Sequence, residues 1–159
     1  PWMKCAEITD ALIEAIKSGK YKSIRCNFPN GDMVGHTGNL QATEIGVEGL
    51  DLQLARILKV VDEAKGVAII TADHGNADEM YEIDKKTGKP KQGKDGSFKA
   101  KTSHTLNPVP LIIYDNFYSE SYDVKAQADF GLSNVAATAV NLLGYEAPEM
   151  WNCSLIELK

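Results

Sequence analysis

A long helical pattern that leads directly into a short, strongly apolar run is the feature that most constrains the fold. Over residues 43–65 apolar side chains recur every three or four positions, which predicts an amphipathic helix with Gly66 just beyond its end. The next residues, 67–71, are typical of a short buried strand. A helix that passes at once into a buried strand favours α/β architecture.

The rest of the chain extends this alternation. We predict helices over residues 3–18 and 133–143, strands over 21–28 and 109–114, and loop between Gly31 and the long helix. Strands separated by helices predict a mostly parallel sheet. Because only three strands can be counted, we expect a partial domain that upstream strands would complete.

Composition and charge restrict the class of protein. The 159 residues are 43% hydrophobic and 25% charged, which predicts one globular core. No apolar stretch approaches the roughly 20 residues of a membrane span, and a net charge of −5 argues against a nucleic-acid partner. The three cysteines have no Cys-x-x-Cys spacing, so we predict no disulfide framework or cysteine metal site, and a cytoplasmic location.

The positive charge is concentrated in one segment. Residues 84–101 contain seven lysines and two acidic residues, and Gly and Pro are interspersed among them. Such a segment cannot bury an apolar face, so a solvated, lysine-rich loop is predicted. Attraction of an anionic substrate is the alternative interpretation. The chain also opens on Pro1 without an initiator Met or a signal-peptide pattern, and we expect it to be a piece of a longer protein.

All three histidines lie in loops beside other possible ligands. Asp32 and His36 are four residues apart, Asp73 and His74 are adjacent, and His104 follows Ser103. Carboxylates and imidazoles without thiolates suit Mn²⁺ or Zn²⁺, and a pair of such ions can clamp a phosphoryl group. The pattern therefore predicts a metal site.

Each of these groups also has a simpler explanation when it is taken singly. Asp32 fits a loop cap, His36 a surface histidine, and Asp73-His74 a turn after a strand. The occurrence of every histidine in such a loop favours the metal site. A Ser-His-Asp triad is disfavoured because no serine lies in a Gly-x-Ser-x-Gly turn.

Three segments carry motifs that can be compared with those of known families. Residues 27–38, 71–77 and 103–110 read NFPNGDMVGHTG, TADHGNA and SHTLNPVP. Together they closely resemble the cofactor-independent phosphoglycerate mutases. The resemblance extends to residues 1–4 and 133–138, so it covers essentially the whole chain. It identifies residues 1–159 with the C-terminal part of that family's phosphatase-like domain. The lysine-rich stretch resembles one found in some branches of the family.

The resemblance implies a fold and a reaction. The fold would be an alkaline-phosphatase-like, three-layer α/β/α domain with a mostly parallel sheet, present here in part. The reaction would interconvert 3-phosphoglycerate and 2-phosphoglycerate, a step of glycolysis, through a phosphoserine intermediate in a cytoplasmic, monomeric enzyme.

The resemblance also implies a metal content. Many members of the family use two Mn²⁺ ions, so the resemblance implies two Mn²⁺ ions, with Zn²⁺, Co²⁺ or Mg²⁺ as alternatives, and no bisphosphoglycerate. Asp32, His36 and His104 match the ligands of one ion, and Asp73 and His74 match part of the set for the other.

Several parts of the family's machinery have no counterpart in this sequence. The nucleophilic serine, further ligands of the second metal, a lysine near the phosphate and the inserted substrate-binding domain all belong to upstream motifs. We therefore assign no catalytic residue to this chain and expect it to be inactive alone. Other alkaline-phosphatase-like enzymes, such as a phosphopentomutase or a phosphomonoesterase, and a non-catalytic metal-binding module are the alternatives.

Overall fold

The computed structural model describes residues 1–125 and 130–159. This part of the chain contains four α-helices and four short strands, joined by turns and irregular segments. The helices are α1 (Cys5–Lys17), α2 (Asn30–Gly35), α3 (Leu40–Glu63) and α4 (Val135–Leu142). The strands are β1 (Ala68–Thr71), β2 (Leu111–Tyr114), β3 (Tyr122–Val124) and β4 (Ile156–Leu158). Within these ranges, every helix falls short of the length and apolar character that crossing a bilayer requires.

Helix α3 is the element against which α1 and α2 pack. It begins after Asn39, whose side-chain oxygen accepts a hydrogen bond from the Ala42 N–H at 2.9 Å and caps the first turn. Its apolar stripe buries Ile57, Val60 and Val61. The predicted helices over residues 3–18 and 43–65 are thus confirmed as α1 and α3, and the packing of α2 on α3 positions the loop that follows α2.

The strands form two separate antiparallel pairs. Strand β1 pairs with β2, Ala68 opposite Tyr114, and β3 pairs with β4, Tyr122 opposite Leu158. The predicted strands at residues 67–71 and 109–114 are confirmed, but the mostly parallel sheet is not, since both pairs in the described ranges run antiparallel. The segment from β1 to β2 contains no helix, whereas a parallel pair needs a crossover connection that is usually helical.

Two local predictions are wrong. Residues 21–28 form no strand: residues 21–27 are exposed and pair with no other segment in the described part of the chain, and a single strand leaves its backbone groups unpaired. The segment after Gly31, predicted as loop, instead contains most of the six-residue helix α2. A helix of this length is too short to produce an apolar periodicity.

The last helix begins later than predicted. It starts at Val135 because Leu132–Asn134 forms a 3₁₀ turn, in which the Asn134 side chain accepts the Gly131 N–H at 2.8 Å. The helix ends where Gly144 adopts a φ of 83°, a left-handed conformation that favours glycine.

The lysine-rich segment is exposed, as predicted, but it is not an irregular loop. Residues 81–101 form an arm with antiparallel bridges that pair Tyr81 with Ala100, Ile83 with Pro90 and Gln92 with Phe98. We call this segment the lysine-rich arm. Backbone pairing of this kind needs no apolar face, so the composition of the segment did not reveal it.

Replacing Ile156 with alanine is expected to lower the free energy of unfolding by about 2–5 kcal/mol, because the side chain is buried and its loss leaves a cavity. Leu158 lies two residues further along β4 and is 53% exposed, so Leu158→Ala should cost about 0.5 kcal/mol or less. Urea denaturation of both variants measures the difference. Equal losses would contradict the placement of Ile156 in the core.

Candidate metal centre

Three of the five predicted ligands converge on one point. Asp32 Oδ1 lies 3.1 Å from His36 Nε2 and 3.0 Å from His104 Nε2, and the two imidazole nitrogens are 3.1 Å apart. The three atoms form a nearly equilateral triangle. One oxygen and two nitrogens are thus presented together, although His104 is 68 residues away from His36 in sequence.

Two different structural features bring these residues together. Asp32 and His36 are one helical turn apart on α2 and its C-terminal cap, so they face the same side. His104 is delivered by a backbone bridge between Gly75 and Thr105, in which the Thr105 N–H donates to the Gly75 carbonyl at 2.9 Å. The helix supplies two corners of the triangle and the bridge supplies the third.

A hydrogen bond from the His36 ring determines which of its two nitrogens faces the triangle. His36 Nδ1 lies 2.5 Å from the carbonyl oxygen of Thr102, which can only accept, so this nitrogen carries the proton. Nε2 of His36 faces the triangle and is thus the ring nitrogen available to a metal ion when the ring is neutral. Metal-ligating histidines are commonly held this way by a backbone carbonyl.

The Asp32 carboxylate is stabilised in its charged form. Burial is the strongest single influence and raises its pKa, but the Asn76 hydrogen bond and the fields of His36, His104 and His74 together outweigh it and hold the pKa of Asp32 below its usual value. The carboxylate is therefore ionised at neutral pH. An ionised oxygen is the form that a divalent cation binds.

The other predicted pair lies beside the triangle but does not form a complete ligand set. The His74 ring stacks on the His104 ring, with centroids 3.6 Å apart, and His74 Nε2 is 3.7 Å from Asp73 Oδ1. The Asp73 side chain is 90% exposed. In the described ranges, only Asp32, His36 and His104 form a group of three close ligand atoms.

The donor set of the triangle fits a divalent cation. Zinc binds imidazole nitrogen and carboxylate oxygen at about 2.0–2.2 Å, and one ion on the open side of a triangle with edges of 3.0–3.1 Å reaches all three atoms. The side chains of His36 and His104 are 40% and 48% exposed. Three protein ligands with an open position are typical of catalytic rather than structural metal sites.

Room for a ligand also exists beside the second pair. A cavity of about 510 Å³ is lined by Asp73 and His74 together with apolar side chains that include Leu106, Val109 and Leu155. Cavities of this size, lined by apolar side chains and a few polar groups, are typical of small-molecule sites. Asp73 and His74 are thus accessible to further ligands.

Sequence reasoning missed the residues that hold this arrangement. Asp78 accepts hydrogen bonds from Thr105 Oγ1 at 2.9 Å and Asn107 Nδ2 at 2.7 Å, and so braces the loop that carries His104. Burial acts to raise the pKa of Asp78, but these hydrogen bonds lower it below its usual value. Asn76, Asp78 and Thr102 lie within four residues of a predicted ligand in sequence, which is the only signal that pointed to them.

Comparison with known proteins places this chain in a family. A family model described as the metalloenzyme superfamily matches residues 1–147. A 2,3-bisphosphoglycerate-independent phosphoglycerate mutase of Trypanosoma brucei brucei is 50% identical over an alignment of 159 positions that covers 99% of this chain and 29% of that protein. An Arabidopsis thaliana mutase of the same description is 43% identical, with 99% of this chain and 28% of the relative covered.

A solved structure gives the same result. The structure described as Leishmania mexicana phosphoglycerate mutase at low cobalt concentration matches with a TM-score of 0.95 and 51% identity, over 100% of this chain and 29% of that one. The chain thus spans less than a third of the length of these relatives. The resemblance to cofactor-independent phosphoglycerate mutases is confirmed, as is the α/β class, and the chain belongs to the metalloenzyme superfamily.

Proposed function

We propose that Asp32, His36 and His104 bind one divalent cation, and that Asp73 and His74 contribute to a second, within a cofactor-independent phosphoglycerate mutase. The observation that carries this proposal is the triangle of ligand atoms with edges of 3.0–3.1 Å. The relatives are 2,3-bisphosphoglycerate-independent phosphoglycerate mutases, and we assign to the whole protein the reaction that the resemblance implies, the interconversion of 3-phosphoglycerate and 2-phosphoglycerate without bisphosphoglycerate. The substrate is thus a small phosphorylated acid.

Each ligand has a distinct task in this proposal. Asp32 supplies the negative charge that offsets the cation, and the two imidazoles supply neutral nitrogens that leave the remaining positive charge available for an anionic ligand. When bound, the two ions stabilise charge on phosphoryl oxygens and lower the pKa of an attacking hydroxyl. The phosphorylated serine lies outside this chain, and no side chain here is assigned a catalytic role.

The proposal also covers the cofactor and the rest of the fold. We assign two Mn²⁺ ions, with Zn²⁺, Co²⁺ or Mg²⁺ as alternatives, because an Asp/His set selects metals by availability as well as affinity. The four strands would join further strands in a three-layer, mostly parallel α/β/α domain of a cytoplasmic monomer. The exposure of Leu111 and Ile112 on β2 supports additional strands, since buried strands are apolar on both faces.

A chimera tests the mutase proposal. Replacing the matching 29% of the Trypanosoma brucei brucei mutase with this chain should give a protein that converts 3-phosphoglycerate in a coupled assay with Mn²⁺ and without bisphosphoglycerate. His36→Ala in the chimera should lower kcat/KM by about 100-fold or more, because two ligands hold an ion poorly. The chain alone should show no conversion.

Substrate preference has to be measured on the longer protein that contains this chain, because the chimera takes its substrate-binding part from the mutase. A folded, Mn²⁺-binding chimera that does not convert phosphoglycerate would contradict the mutase proposal. Hydrolysis of aryl phosphates by the longer protein, without mutase activity, would favour a phosphomonoesterase. Conversion of phosphopentoses by the longer protein would favour a phosphopentomutase.

A further inference from the structure

The buried amide of Asn76 connects the two sets of predicted ligands. Its Nδ2 donates to Asp32 Oδ1 at 3.0 Å and lies 3.3 Å from the Asp32 carbonyl oxygen. Asp32 Oδ1 is the same atom that faces the Nε2 atoms of His36 and His104. Because Asn76 follows Asp73 and His74 in one loop, it ties that loop to the triangle.

The chemistry of the contact requires a neutral donor. Both Asp32 atoms only accept hydrogen bonds, so the amide must present its NH₂ group to them. One lone pair of Oδ1 is then occupied and the direction toward the imidazoles stays free. An aspartate in this position would add a second negative charge, and an aliphatic side chain would leave Asp32 Oδ1 without its partner.

The opposite side of the amide fits against a glycine. Asn76 is 4% exposed, and its Oδ1 has no hydrogen-bond partner in residues 1–125 and 130–159. A Cβ atom on Gly35 would overlap Asn76 Oδ1 and lie 2.9 Å from Asn76 Cγ. Because Gly35 has no side chain, the Asn76 amide can occupy the space beside its Cα atom.

We propose that Asn76 is a positioning residue that, by donating to Asp32 Oδ1 while packed against Gly35, fixes this oxygen at the site of the first cation. The inference rests on the proposed metal function of Asp32, His36 and His104. Hydrogen-bond partners of metal ligands typically contribute 10- to 100-fold in metal affinity. The same range is expected for Asn76.

The first test removes the amide. Asn76→Ala should weaken Mn²⁺ binding by about 10- to 100-fold in a calorimetric titration of the chain. The visible absorption of the Co²⁺-loaded variant should also change, because a free carboxylate alters the coordination of the ion. Asn134→Ala is the matched control: Asn134 is also 4% exposed and donates to the Cys153 carbonyl, and it is hydrogen-bonded to none of the five predicted ligands. This control should lower stability but keep Mn²⁺ affinity within about twofold.

A double-mutant cycle distinguishes positioning from general damage. Gly35→Ala should displace the Asn76 amide and weaken Mn²⁺ binding in the native background. In the Asn76→Ala background the same change should have no effect beyond about twofold, because the overlapping atoms are gone. An equal loss in both backgrounds would mean that Gly35→Ala acts through His36, and it would overturn the proposal.

The remaining outcomes are also decisive. If the wild-type chain binds Mn²⁺ and Asn76→Ala binds it equally, the role of Asn76 is refuted and the metal site stands. If the wild-type sequence binds no divalent ion either as the chain alone or within the chimera, the proposed metal function fails and this inference fails with it. Should Asn76→Ala not fold, Gly35→Ala decides, since unchanged affinity and an unchanged Co²⁺ spectrum in that variant would overturn the proposal.

Discussion

Replacing His104 with alanine is expected to abolish tight Mn²⁺ binding by this chain. The triangle would lose one of its three corners, and the remaining atoms, Asp32 Oδ1 and His36 Nε2, would form an incomplete site. Loss of a direct ligand should exceed the 10- to 100-fold cost of losing a ligand's hydrogen-bond partner, so affinity should fall by more than about 100-fold. Calorimetric titration with Mn²⁺ measures the change.

Two control variants make the His104 result specific. Leu106→Ala changes a fully exposed side chain two residues further along the same loop, and binding should be unchanged. His74→Ala removes the ring that stacks on His104 but leaves the triangle complete, so one tight site should remain. Wild-type affinity in His104→Ala, or an equal loss in His74→Ala, would contradict the assignment of the first ion.

The candidate site could be predicted from the sequence because its ligands are chemically unusual. The chain has three histidines, each predicted in a loop beside a carboxylate or hydroxyl side chain. The four-residue spacing of Asp32 and His36 places them on one side only because α2 forms there, in a segment that was predicted as loop. The approach of His104 could not be predicted from that spacing. It depends on the bridge between Gly75 and Thr105, a long-range backbone contact without a local sequence pattern.

The fold was predictable where one segment is long enough for its pattern of buried apolar residues to repeat several times. Helix α3 is 24 residues long and its apolar stripe repeats over several turns, so its position followed from the sequence. Strands β3 and β4 are three residues each, which is too short for any alternation to be recognised. Residues 21–28 show the opposite failure, because a β-rich composition does not supply a strand partner.

The local sequence pattern of a strand does not indicate whether it pairs parallel or antiparallel with its neighbour. The apolar runs that became β1 and β2 are compatible with either orientation, and the intervening segment decides between them. That segment holds the lysine-rich arm and two predicted ligand loops but no helix. The chain therefore returns antiparallel, and the same return brings His104 back to His74.

Gly75→Ala tests directly how the chain brings His104 beside His74, and it is expected to disrupt both ligand sets. A Cβ atom on Gly75 would overlap Thr105 Oγ1 and lie 2.6 Å from Asp78 Oδ1. Thr105 and Asp78 are hydrogen-bonded to each other at 2.9 Å, so neither side chain can withdraw without breaking that bond. The expected results are a loss of about 1–3 kcal/mol in unfolding free energy from overpacking and Mn²⁺ affinity lowered by about 100-fold or more, as for a lost ligand.

Gly31→Ala provides the matched control, because Gly31 lies next to Asp32 but its added Cβ would meet only Ala77 Cβ at 4.0 Å. This control should keep Mn²⁺ affinity and gain slightly in stability, since alanine is the better helix former within α2. Urea denaturation and Mn²⁺ titration of both variants separate the two effects. If Gly75→Ala bound Mn²⁺ as tightly as Gly31→Ala, His104 would reach the triangle without the Gly75–Thr105 bridge, and the site would depend on some other constraint.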